Sequence, residues 1–91
     1  MKIIYKDYLS YKLENQIQYI AKDKPHAAKR FRKKILERIK EIPRHSFSYR
    51  KSIFFDDEEI RDLIVDGYII VFRIKEDLIE IFGFNKYEES Y

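Results

Sequence analysis

Two arginines, Arg61 and Arg73, each stand inside a run of apolar residues, IRDLIV and YIIVFRI. A guanidinium placed there must be paired or reach water, because a buried unpaired charge is strongly unfavourable. Asp62, Glu80 and the acidic turn residues are the partners available within the chain, and extension of the side chain to a sheet edge is the alternative. The other use for such cations is to anchor a partner molecule. The remaining groups with chemical potential are few: two histidines, His26 and His45, and no cysteine. This set excludes disulfides and thiolate chemistry and argues against a zinc site. His26 stands where a helix is expected to begin and reads as a solvated turn residue. His45 lies among basic and aromatic neighbours with no evident partner for proton transfer. Lys86, Tyr87 and Tyr91 lie near the end of the chain. No catalytic residue and no cofactor are assigned from these groups.

The elements that position the two arginines are legible from residue 58 to residue 84. Glu59 to Val65 and Tyr68 to Ile74 flank Asp66-Gly67, and Asp-Gly between apolar runs is a strong hairpin signal because both central residues of a type I′ turn need φ > 0. Lys75-Glu76-Asp77 breaks the pattern before a third strand, Leu78 to Phe84. The middle strand is apolar at nearly every position, which predicts a central strand covered on both faces. Lys2 to Lys6 is a further short apolar run and reads as an edge strand of the same sheet.

Such a meander does not stand alone in water. Leu9, Leu13, Ile17 and Ile20 recur at helical spacing and predict a helix to about Ala21, capped by Asp7 or Ser10. Pro25 suits the first turn of a second helix. Ala28, Phe31, Ile35, Ile39 and Ile42 form its apolar face, and Pro43 closes it. Arg44 to Asp57 is the least regular stretch, with a weak strand signal at Ser52 to Phe55. The order is β-α-α-β-β-β, an α+β fold in which a small antiparallel sheet packs against a helical hairpin. Ninety-one residues make one domain, 1–91. No apolar stretch reaches the length of a membrane span and no signal-peptide pattern opens the chain, so a cytoplasmic protein without membrane contact is expected.

The net charge of +3 conceals an asymmetry. Residues 22–51 hold twelve basic and three acidic side chains, whereas residues 52–91 hold four basic and eleven acidic. A positive and a negative surface on one small body follow. The basic helix fits either phosphates or an acidic protein segment. It lacks a recognition-helix pattern, which favours the protein.

Four passages resemble the RelE/ParE superfamily of toxins from type II toxin–antitoxin systems, and most closely its ParE branch. They are Tyr19-Ile20-Ala21 with Lys24-Pro25-His26-Ala27-Ala28-Lys29-Arg30-Phe31; Ile39 with Pro43; Ile60-Arg61-Asp62-Leu63; and Tyr68-Ile69-Ile70-Val71-Phe72-Arg73-Ile74. Each alone is weak, and their order and spacing make the match. The resemblance implies a helical hairpin on a small sheet and a cognate antitoxin as partner in a hetero-oligomer. It also implies one of two targets: DNA gyrase for ParE-like members, or messenger RNA on the ribosome for RelE-like endonucleases. A basic nucleic-acid-binding domain is a third reading.

Metal-free RNA cleavage needs a group to activate the 2′-hydroxyl, a proton donor and a cation at the phosphate. RelE-like enzymes take these from basic residues and a tyrosine on the sheet and C-terminal segment. Here Ile69 stands just after Tyr68, where those enzymes often carry arginine. That departure favours gyrase inhibition through protein contact. The expected partner surface combines Arg61, Arg73, Ile69 and Val71 on the sheet with Arg30 and Lys33 on the basic helix. Ile69 and Val71 are expected on a sheet face that two helices cannot cover.

Overall fold

Asp66 and Gly67 both take positive φ, 50° and 81°. This mirror-image turn matches the right-handed twist of the strands it joins. The computed structural model describes residues 1–87. Its elements are β1 (Lys2–Tyr5), α1 (Asp7–Asp23), α2 (Pro25–Glu41), β2 (Ile60–Val65), β3 (Tyr68–Ile74) and β4 (Leu78–Lys86), with 3₁₀ turns at Ile42–Arg44 and Ser46–Ser48. No helix among the described residues is long and apolar enough to cross a membrane.

The sheet order is β1-β4-β3-β2. β2, β3 and β4 form the expected antiparallel meander, with Leu63 opposite Ile70 and Ile70 opposite Phe84. β1 departs from the expectation of a wholly antiparallel sheet. It runs parallel to β4, Lys2 beside Leu78 and Tyr5 beside Ile81. A short apolar run serves either direction, so the sequence pattern reveals a strand without its sense. A bulge interrupts the β3–β4 register between Val71 and Phe72. There Gly83 lets the strands close: a Cβ on it would lie 2.9 Å from the Val71 Cβ.

The helices lie on one face of the sheet. Leu9, Leu13 and Ile17 of α1 and Ala28, Phe31, Ile35 and Ile39 of α2 bury against Leu63, Ile70, Phe72, Ile81 and Phe84. The apolar spacing of the sequence accounts for each of these contacts. Neither expected cap forms at α1: Lys6 is the N-cap residue, without a side-chain bond, and Asp7 is the first helical residue. Its carboxylate in the first turn still favours the helix dipole. Pro25 opens α2 as expected.

The stretch Ser52 to Phe55 is a turn rather than a strand. A lone bridge pairs Lys51 with Arg61, one step earlier in the chain. Ser52 N–H donates to the Ile60 carbonyl and Asp62 N–H to that of Arg50. Those two bonds bring the segment along the outer edge of β2 and leave Ile53 to Phe55 free to turn across the other face.

Candidate interaction site

The irregular stretch from Phe47 to Glu59 forms a strap around β2. Tyr49 sets its ring edge-on to Phe72 on the helix side at 5.5 Å, and Phe55 does the same to Phe82 on the opposite side at 5.7 Å. Both arginines of the sheet are spent on this strap. Arg61 donates to the carbonyls of Glu58 (2.9 Å), Tyr49 (3.0 Å) and Phe47 (3.2 Å) and stacks on the Phe47 ring at 5.0 Å. Its side chain is only 13% exposed. Arg73 pairs with Asp57 at 3.3 Å. Asp62 pairs with neither. Buried on β2, it accepts from Arg50 Nη2 at 3.2 Å and from Ile53 N–H at 3.1 Å through Oδ2, while Oδ1 finds no partner among the described residues. Glu80 likewise bonds Lys75 rather than an arginine.

The burial of two strand residues overturns one expectation about the docking surface. Ile69 and Val71 are 0% and 1% exposed, packed with Ile60 and flanked by Phe82 and Tyr87. The sheet face that two helices leave open is closed by the chain itself. In this conformation those side chains offer nothing to a partner. The apolar groups exposed near that face are instead Ile64 of β2, which pairs with Ile69, and Ile53, Phe54 and Phe55 of the strap.

Arg30 and Lys33 are exposed on the outer side of α2. Two of their neighbours are engaged: Arg32 pairs with Glu14 of α1 at 2.6 Å, and Lys34 with Asp66 at 2.7 Å. The Arg32 bond is the main reason the Glu14 carboxyl titrates below its ordinary value, with Gln18 adding to it. The basic helix therefore spends part of its charge on holding the hairpin and the β2–β3 turn together. Arg30 and Lys33 take no part in those pairs.

A groove lies where α1, α2 and the β2–β3 turn meet. On one side of Tyr68 a cleft of about 300 Å³ is walled by Lys12, Asn15 and Gln16 of α1 and by Phe84, Asn85 and Lys86 of β4. On the other side, a cleft of about 480 Å³ is walled by Ile20, Ala27, Arg30, Phe31, Lys34 and Asp66. Tyr68 lines both. Its ring stacks on Phe84 at 4.9 Å and meets Phe31 edge-on at 5.3 Å. Burial, and secondarily the Tyr19 phenol nearby, push the Tyr68 hydroxyl above the usual tyrosine range. It is protonated at neutral pH and can donate a hydrogen bond.

The groups weighed for nucleic-acid chemistry are scattered. Lys86 lines the groove. Tyr87 packs at the opposite face, with the Arg50 guanidinium 5.8 Å from its ring centre. Tyr91 lies outside the described residues. His45 rests against Tyr49 at 5.4 Å, and His26 is exposed at the start of α2. Among the described residues no group of three or more acidic, histidine or cysteine side chains is placed to hold a metal.

The groove was missed by sequence reasoning, although Arg30 was among the residues singled out. The signal that would have found it is the pairing of Tyr68 with Lys86 and of Ile70 with Phe84, and that pairing depends on the bulge.

Comparison with known proteins places these features in a family. The family model described as the ParE toxin of the type II toxin–antitoxin system parDE matches residues 3–91. The solved structure of the chromosomal ParDE system from P. aeruginosa contains a similar chain, with a TM-score of 0.79 over 97% of each chain at 16% identity. At that identity the likeness speaks to the fold. No curated protein sequence matches.

Proposed function

The chain belongs to the ParE toxin family of type II toxin–antitoxin systems, and from that premise we propose that it acts by inhibiting DNA gyrase through protein contact and is neutralised by a cognate antitoxin. The observation that carries the choice of protein contact over RNA cleavage is the fate of the sheet's cations. Arg61 is bound to three carbonyls and Arg73 to Asp57. Ile69, at the position where RNA-cleaving relatives often carry arginine, is fully buried. Lys86 and Tyr87 serve different faces of the sheet. A phosphoryl-transfer site needs its cation and its proton carriers converging on one point. Loss of one preorganised charge contact lowers such a rate about 10²–10³-fold. The antitoxin half of the proposal is supported by the surplus of exposed cations on α2 and around the groove, which suits an acidic partner segment. The cytoplasm, where gyrase works, is the compartment that goes with this reading.

The experiment is induction of the chain in cells lacking antitoxin. Filamentation, a DNA-damage response and altered supercoiling of a reporter plasmid, without early messenger cleavage, are expected. Rapid cleavage of messenger at ribosomal positions with supercoiling unchanged would replace gyrase by the ribosome as target.

A further inference from the structure

We infer that the outer face of α2 binds the phosphate backbone of duplex DNA without reading its sequence. This contact is a second activity of the chain. It stands apart from the proposed action on gyrase and does not depend on it.

The face carries charge and little else. From Lys29 to Glu41 every exposed side chain is charged, six basic and two acidic. Two of the six cations are already engaged, Arg32 by Glu14 and Lys34 by Asp66. Arg30 lines the Tyr68 groove. Lys29, Lys33 and Lys40 remain, and none of them pairs with a carboxylate among the described residues. At the helical repeat these three fall within an arc of about 40° and spread over about 16 Å of the axis. Lys22 and Lys24 ahead of the helix and Arg44 beyond it are exposed as well, and they lengthen the row at both ends. The acids Asp23, Glu37 and Glu41 stand along the same length, and the cations outnumber them.

The residue types select the partner. A protein-binding patch has an apolar or aromatic centre and is poor in lysine. This face has no exposed apolar side chain between Lys29 and Glu41, and its free cations there are lysines. A single strand needs rings on which to stack its bases, and α2 buries its one phenyl ring, Phe31. Readout of base edges uses carboxamides or bidentate arginine, and α2 holds no Asn or Gln. What the helix offers is a line of point charges on flexible stems. Such a line neutralises successive phosphates and displaces their counterions, which is the sequence-independent part of DNA binding.

The test is titration of the isolated chain into a labelled duplex of about 24 base pairs, read by fluorescence anisotropy between about 25 and 150 mM salt. A dissociation constant of about 1–100 μM at the lowest salt is expected, with log K falling against log salt at a slope of about −3 to −5. K29Q/K33Q/K40Q should flatten the slope by about 2.7 and weaken binding at the lowest salt at least about tenfold. K2Q/K6Q/K75Q removes the same charge from β1 and the β3–β4 turn and should weaken it less than about threefold. Amide shifts of the ¹⁵N-labelled chain on addition of the duplex should fall between Lys22 and Arg44. Equal losses for the two triple variants would mean attraction by net charge alone and overturn the inference. So would a slope shallower than about −2, shifts centred on the strap or on Lys12 and Lys86, or no binding at the lowest salt. Tighter binding of the single strand, or equal binding of polyglutamate on the same row, would overturn it too. The slope and the shift map are read on the unaltered chain, so they stand even if a variant fails to fold. A chain that binds no DNA yet inhibits supercoiling would refute this row and leave the gyrase reading in place.

Discussion

Arg61→Ala should loosen the strap and destabilise the whole chain. Three of the arginine's hydrogen bonds end on carbonyls, those of Glu58, Phe47 and Tyr49. The first two lie at exposed positions, so water replaces the lost donor and each loss costs about 0.5–1.5 kcal/mol. The Tyr49 carbonyl is partly buried, and leaving such an acceptor unmet costs about 1–3 kcal/mol. The fourth contact, to the Glu58 carboxylate, contributes almost nothing, because that side chain is 78% exposed and surface ion pairs are weak. The total is about 2–6 kcal/mol, against about 5–15 kcal/mol for the stability of an ordinary domain. In a chain of this size, a loss at the low end lowers Tm by about 8 °C or more. Urea unfolding gives the magnitude, and hydrogen exchange at Phe47 to Glu58 locates it. Arg61→Lys should fall between the variant and the parent, because an ammonium cannot span three carbonyls as a planar fork does. A loss below about 1 kcal/mol, with exchange in the strap unchanged, would refute the assignment and return Arg61 to the role of partner anchor.

Phe31→Ala should cost about 3–5 kcal/mol, since the ring is 8% exposed and packs on Tyr68; a loss under about 1 kcal/mol in urea unfolding would place it outside the core. Gly83→Ala should destabilise by about 1–3 kcal/mol through overlap with Val71, 2.9 Å away, and unchanged stability would mean that the bulge yields freely. Tyr5, Tyr49 and Tyr68 all titrate above their ordinary range, chiefly through burial. Above about pH 10 the unfolded chain ionises first and the folded chain holds more protons, so stability must fall as pH rises from there through the folded values. Unfolding at stepped alkaline pH checks this, and Tyr49→Phe with Tyr68→Phe should flatten the decline.

How much of this was legible depends on how local the signal is. The turn at Asp66-Gly67 and the stripe from Ala28 through Ile42 are local, and the elements form where their residues place them. The strap is not local. Arg44 to Asp57 carries no period, because its residues answer to β2, Phe72 and Phe82 in turn and not to one face. The same is true of Arg61. Its partners are three carbonyls, and carbonyls leave no mark in a sequence, whereas the acids Asp62 and Glu80 that looked available serve other cations. The groove was hidden by a single residue of slip. Counted forward from the Lys75–Asp77 turn, Phe82 and Phe84 share a face; the bulge puts Phe84 with the helices and Phe82 on the other side. The family, by contrast, was readable, since the order of the four passages survives without any knowledge of register.

The parallel pairing of β1 with β4 bears on how the chain is made. β1 leaves the ribosome early, yet its neighbour in the sheet is the last strand described, with Lys2 set beside Leu78. β4 is also an inner strand, between β1 and β3. Until it emerges, the N-terminal strand has no partner and α1 lacks the floor that Ile81 and Phe84 provide. Contacts between such distant parts of a chain form slowly, because the intervening loop must close first. Synthesis therefore imposes a delay: a nascent chain short of β4 has the basic helix but neither the Phe82 ring on which the strap's Phe55 packs nor a closed sheet. A toxin that needs its whole sheet would be harmless over that interval.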